Sequence, residues 1–248
     1  ISEHELEARA YFHRHDFFVD ELARGRDRIH LVFIGLGQDA RALLFHFLKV
    51  FPHPDLAWPK ITIFCEDPVG IRGFIDTRLP AQFSLADISA HPFSNEGSAA
   101  HILDELSKHA APSIVYLSER SDSAQRRLAF ELSAAADRLA SPAASILLKG
   151  TPENRSWIKS LERFEAWPVN VVTPDDRHLS VSFLTGPFDS LARRLHEAYT
   201  TYKVVPYSGS ASDSLRNWRL LDENLKAANR RAADCAKTKL EAIGIVGE

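Results

Sequence analysis

The sequence predicts an α/β protein: a doubly wound parallel sheet with a small all-helical domain at its C-terminal end. Three observations carry that expectation. In His30 to Val50, HLVFIGLGQDARALLFHFLKV, an apolar run ends in Gly35-Leu-Gly37 and passes directly into an amphipathic helix. Apolar strand-like runs and amphipathic stretches then alternate about six times up to Val172, as in a parallel sheet with helical crossovers. Beyond Gly186-Pro187 no strand pattern remains.

Ser2 to Arg24 reads as a lead-in helix with Leu6, Ala10, Phe17 and Leu22 on one apolar side, broken at Gly25. Leu31 to Ile34 is the first strand, and Ala40 to Phe51 continues as helix until Pro52 and Pro54 stop it. Ile61 to Cys65 is a second strand ending at Glu66 and Asp67, which completes one βαβ unit. Ile71 to Leu79 reads as a short helix, Gln82 to Ile88 as a weakly patterned third strand, and Ser98 to His109 as a helix with Ile102, Leu103 and Leu106 on one face. Ser113 to Leu117 is a strongly apolar strand, Asp122 to Leu139 a long helix, Ser145 to Leu148 a strand, Glu153 to Phe164 a helix and Val169 to Val172 the last strand. The expected domains are therefore a lead-in over 1–28, a Rossmann domain over 29–186 and a helical domain over 187–248. In the last of these, Phe188 to Tyr202 is helical, Val205 to Asp213 is a loop, and Leu215 to Ile243 is helical nearly throughout.

The turn after the first strand has the form GxGxxA. In that motif Gly35 makes the tight turn, Gly37 lets the backbone approach a pyrophosphate, and Ala40 is the small residue that packs helix against strand. Amide groups at the start of the helix, together with its dipole, favour phosphate charge. The candidate cofactor-binding set is Gly35, Leu36, Gly37, Gln38 and Ala40, with Glu66 or Asp67 placed for ribose hydroxyls. An acidic end to the second strand disfavours a 2′-phosphate, so NAD(H) or an adenine nucleotide fits better than NADP. The competing reading is a plain α/β scaffold whose pocket is vestigial.

Composition narrows the partners. With 248 residues, 45% of them hydrophobic and 25% charged, the chain can bury a core. A net charge of −3 gives no basic field for nucleic acid. Cys65 and Cys235 lie far apart, with no CxxC and no Cys/His cluster, which points to a reducing, cytoplasmic compartment and to no metal site. His13 and His15 flank Arg14 and point apart on a helix. No apolar run is long enough to cross a bilayer, and the first residues are too polar for a signal peptide. The chain has no Met. It reads as a soluble protein or as a fragment, and a membrane part ahead of Ile1 stays open.

On these residues, Ile29 to about Val172 resembles the nucleotide-binding half of the TrkA-N or RCK family, cytoplasmic modules that regulate potassium channels and transporters. The matching residues are the HLVFIGLGQDARALL turn and the acidic end of ITIFCED. The resemblance implies that Gly35, Gly37 and either Glu66 or Asp67 contact a nucleotide. It departs at Ala86-Asp87-Ile88-Ser89, where a Gly-Asp-Ala type turn is common in the family.

Leu191 to Gly244 resembles the RyR domain, the small helical repeat of ryanodine receptors and some bacterial proteins. One block is Leu191-Ala-Arg193 with Leu195-His-Glu-Ala-Tyr199; the other runs through Trp218, Leu221, Glu223, Leu225, Asn229-Arg230, Ala233-Asp234 and Leu240 to Gly244. Leu191, Leu195 and Tyr199 recur at helical spacing, as do Leu221, Leu225, Ala228 and Ala232, so two helices can pack through these stripes. Gly244 suits a helix C-cap. Either Tyr199, Trp218, Asn229 and Arg230 line a ligand cleft between the helices, or His196, Tyr199, Trp218 and Asn229 hold the small domain together and Lys226, Arg230 and Arg231 form a solvated face.

Enzymatic readings find less support. Tyr199 and Lys203 match the YxxxK spacing of short-chain dehydrogenases, but the glycine turn lacks TGxxxGxG and the tyrosine lies beyond the sheet. There is no GxSxG elbow and no GxxxxGK[ST] loop. The two resemblances together imply a non-enzymatic, cytoplasmic nucleotide sensor, a homodimer controlling potassium or cation transport through a membrane channel or pore partner. An NAD-dependent oxidoreductase and an interaction module on a vestigial scaffold are the alternatives.

Overall fold

A computed structural model of the protein describes residues 2–14, 21–51, 55–78, 86–93, 99–109, 112–118, 121–134, 145–149, 151–161, 169–172, 187–202 and 217–243. Helix α1 (Glu3–Arg14) precedes β1 (Arg28–Ile34), and α2 (Gln38–Val50), β2 (Ala57–Cys65), α3 (Pro68–Arg78) and β3 (Asp87–Pro92) follow. Next come α4 (Ala99–Ser107), β4 (Ile114–Leu117), α5 (Asp122–Ala134), β5 (Ser145–Lys149), α6 (Pro152–Leu161) and β6 (Val169–Val172), then α7 (Pro187–Tyr202) and α8 (Glu223–Ala242).

β1 is buried along its length after Arg28, as an apolar strand covered on both faces must be. It pairs in parallel with β2 on one side and β4 on the other. The sheet has six parallel strands in the order β3-β2-β1-β4-β5-β6. This is the Rossmann order, in which chain direction along the sheet reverses between β1 and β4. On one face, Val32, Ile34, Phe64, Val115, Leu117, Ile146 and Leu148 form a core with Ile102 and Leu106 of α4, Leu128 and Leu132 of α5, and the flank of Trp157 and Ile158 on α6. Side chains alternate along each strand, so Phe33 and Tyr116 point to the opposite face, where their rings meet edge-on at 6.1 Å.

Several elements differ from expectation in their limits. The lead-in is helical over α1 and again over residues 21–23; residues 15–20, with Phe17, lie outside the described residues. Leu6 and Ala10 are buried as expected, whereas Leu22 is half-buried. α3 starts at Pro68 instead of Ile71, because Asp67 caps it: its Oδ1 accepts the Gly70 N–H at 2.9 Å and its carbonyl accepts that of Ile71. The third strand is Asp87–Pro92, later than the expected Gln82 to Ile88, with Lys60 opposite Asp87 and Phe64 opposite His91. It lies at the sheet's edge, so its polar sequence breaks no core.

The chain divides into two compact units, Ile1–Phe45 with Pro54–Thr173, and His46–His53 with Pro174–Glu248. In the second, α7 packs on α8 around Ala192, Trp218, Leu221 and Ala233, with Leu195 and Leu225 partly buried. The stripes expected there are displaced. Leu191 and Tyr199 are exposed while Asp189, Ala192 and His196 are buried; on α8, Ala228 and Ala232 face outward and Ala233 inward. Over the described residues 217–243 the segment is helical nearly throughout, as expected, with one break: a 3₁₀ turn at Trp218–Leu220, capped by the Asn217 side chain, ends in extended backbone at Leu221. Asp222 Oδ1 then accepts the Asn224 N–H at 2.8 Å and starts α8. Gly244 lies outside the described residues. Among the described residues no helix is long and apolar enough to cross a membrane.

Candidate functional site

The glycine turn sits at the C-terminal edge of the sheet, beside the β1/β4 reversal where open α/β sheets place their ligands. Gly35 has φ +82°, a left-handed conformation that a Cβ disfavours, and its N–H extends the ladder to the Phe64 carbonyl at 2.8 Å. Leu36 is fully buried, and its carbonyl accepts Arg41 Nε at 2.8 Å. The Gly37 carbonyl accepts the Arg41 N–H at 2.9 Å, which makes Gly37 the cap of α2, and Gln38 stands exposed as its first residue. Ala40 is fully buried one turn in.

Three residues that sequence reasoning missed complete this turn. The Gly37 N–H donates to Ser118 Oγ at 3.3 Å. Ser118 Oγ donates to Asp39 Oδ1 at 2.8 Å, and Tyr116 Oη donates to Asp39 Oδ2 at 2.7 Å. Burial, reinforced by the neighbouring Asp39 carboxylate, pushes the Tyr116 phenol well above its ordinary pKa, so it stays a donor. Two signals for this network stood in the sequence: an acid in the first turn of the helix, and a serine directly after the apolar strand SIVYL. Arg41 adds a cation beside the turn, its guanidinium 4.4 Å from the Phe74 ring, which stacks on Phe45 at 5.8 Å.

At the end of β2 the two candidate acids have different surroundings. Asp67 is engaged as the cap of α3, and a Cβ at Gly70 would overlap its Oδ2. Glu66 is exposed at the strand end.

In the second unit the structure brings together only part of the expected cleft. Arg230 lies 5.8 Å from the buried Trp218 ring, His196 is 6.0 Å from it, and Arg193 is 5.9 Å from it on α7. Arg230 is held by Asp189 at 2.9 and 3.0 Å and by Glu223 at 3.2 Å. Asn229 Nδ2 donates to the Leu225 carbonyl within α8, and Tyr199 is exposed on α7. Asp189 was not singled out in the sequence, because a buried carboxylate paired with an arginine leaves no apolar periodicity. Lys203 and His15 lie outside the described residues. Among the described residues no group of three or more His, Cys, Asp or Glu side chains is disposed to hold a metal ion.

Neither protein-family models nor curated proteins match this chain. The likeness to RCK and RyR domains rests on the residues quoted above.

Proposed function

We propose that this chain is a regulatory module that senses NAD(H) or an adenine nucleotide at the Gly35 turn. In this reading it works in the cytoplasm, as a homodimer, and biases potassium or other cation transport through a channel or pore partner. The observation that carries the sensing role is the position of Gly35: φ +82° at the end of β1, beside the β1/β4 reversal, with exposed Glu66 ending the neighbouring strand. The transport role comes from the resemblance of Ile29 to Val172 to RCK modules. Regulation proceeds by population shift: ligand favours one conformer of the chain or its dimer by its differential affinity, without turnover.

Thermal shift with NAD, NADH, ATP, ADP and AMP tests the sensing role. A ligand at one hundred times its Kd stabilises by about 2.7 kcal/mol, and nicotinamide absorbance with the same samples separates sensing from turnover. One observation favours a second reading, an interaction module on a vestigial scaffold. Ser118 already occupies the Gly37 N–H on which a phosphate would depend. A screen in which none of the five ligands moves the melting temperature decides for it.

A further inference from the structure

Asp39 stands where a ligand's phosphate is expected. It lies in the first turn of α2, where the helix dipole draws negative charge. Its carboxylate reaches across to β4, with one oxygen on Ser118 Oγ and the other on Tyr116 Oη. The Ser118 hydroxyl has one proton, which goes to Asp39, and its lone pairs take the Gly37 N–H. Donation thus runs from Gly37 to Ser118 to Asp39, and the anion at this helix start is the protein's own.

We infer that Asp39 is a specificity-determining residue that sets the glycine turn against phosphate and in favour of the nucleoside end of a ligand. The inference rests on the nucleotide reading of this turn. A phosphate oxygen that takes the Gly37 N–H must displace Ser118 Oγ. It then faces a carboxylate that was bonded to the same hydroxyl, and like charges at that range repel. A ribose or base makes no such demand. Phosphate enters fully only when the carboxylate gives up Tyr116 and Ser118.

Calorimetric titration of ADP and adenosine into the wild-type chain and Asp39→Asn tests this, with EDTA present so that no metal ion bridges carboxylate and phosphate. The expected result is a ratio of ADP to adenosine affinity that rises on the order of tenfold in the variant, and more steeply at low salt. Asp39→Ser, with its ligand-free melting measured beside the wild type, serves as a second variant and moves the ratio in the same direction. If ADP binds wild type and both variants with an unchanged ratio, Asp39 has no such role and the nucleotide reading stands. If neither ligand binds any of the proteins, the nucleotide reading fails and takes the inference with it.

Discussion

Arg230 on α8 and Asp189 on α7 form a two-pronged ion pair, Nε to Oδ1 at 2.9 Å and Nη2 to Oδ2 at 3.0 Å, with both side chains largely buried. Hydrogen bonding to Asp189 raises the guanidinium pKa further above its ordinary range. The pair fixes which faces of the two helices meet, since it spends both carboxylate oxygens on one fork. Asp189→Asn leaves a buried cation with half its partner, and the expected loss is about 3 kcal/mol in urea unfolding. Arg230→Lys keeps the charge but not the fork and recovers only part of that loss.

Gly35 is the second point of sensitivity. At φ +82° an alanine there is strained by about 1–2 kcal/mol, which thermal unfolding of Gly35→Ala reads directly. Any nucleotide-induced shift of the melting temperature should shrink in the same variant. Gly37, which carries no positive φ, is expected to tolerate alanine better in the unliganded chain.

Glu66 and Asp67, adjacent in sequence, should separate cleanly by experiment. Asp67→Ala removes the cap of α3 and costs about 1 kcal/mol of stability. Glu66→Gln should weaken nucleotide binding in titration. The reverse pattern would assign the ribose to Asp67.

Inside the sheet, His30 on β1 and Thr62 on β2 are joined at 2.9 Å, and Ser89 Oγ on β3 reaches Thr62 at 3.5 Å. His30 and Thr62 are buried, so Thr62→Val takes a hydroxyl partner from His30 Nε2 and is expected to cost about 1–3 kcal/mol. His30→Leu combined with Thr62→Val should cost less than the sum of the single changes, because the two side chains satisfy each other.

His91 gives the protein an acid-side sensitivity. Burial against Phe64, at 5.5 Å, pushes its pKa below the ordinary 6.5. Glu105, 3.7 Å away on α4, pulls the other way, and His109, Lys60 and His101 reinforce the drop. A base that is harder to protonate folded than unfolded binds fewer protons in the folded state. Its stabilising contribution is therefore complete above pH 6.5 and is lost as pH falls through 6.5 toward the lower folded value. Urea unfolding at pH 7.5 and at pH 5.5, as about one unit to either side, should show a smaller difference for His91→Gln than for the wild type.

Where strands are apolar, the sequence was enough to place them. β1, β4 and β5 read as buried runs because both faces are covered, and the order of crossovers then leaves few topologies. β3 was misplaced for the opposite reason: at the edge, Asp87-Ile-Ser-Ala-His-Pro92 carries little apolar alternation, and its register is set by pairing with Lys60 to Cys65. On α7 the hydrophobic stripe pointed to Leu191 and Tyr199, yet the buried side is the one bearing Asp189 and His196. Periodicity weighs apolar side chains and cannot see a carboxylate that a distant Arg230 will neutralise. The glycine turn was legible through Gly35 and Ala40, whereas Tyr116 and Ser118, some eighty residues on, reach it only once β4 lies beside β1.

The far end of the sheet carries a mechanical consequence. Glu21 is fully buried, gripped by Arg24 at 2.5 Å and by Arg26 at 3.0 Å, and Arg26 also donates to the Pro112 carbonyl and to Ser113 Oγ. The residues leading into β1 are thereby riveted to those leading into β4. A change at residues 21–26 therefore touches the starts of both strands together, whereas Gly37 and Ser118 meet at their other end.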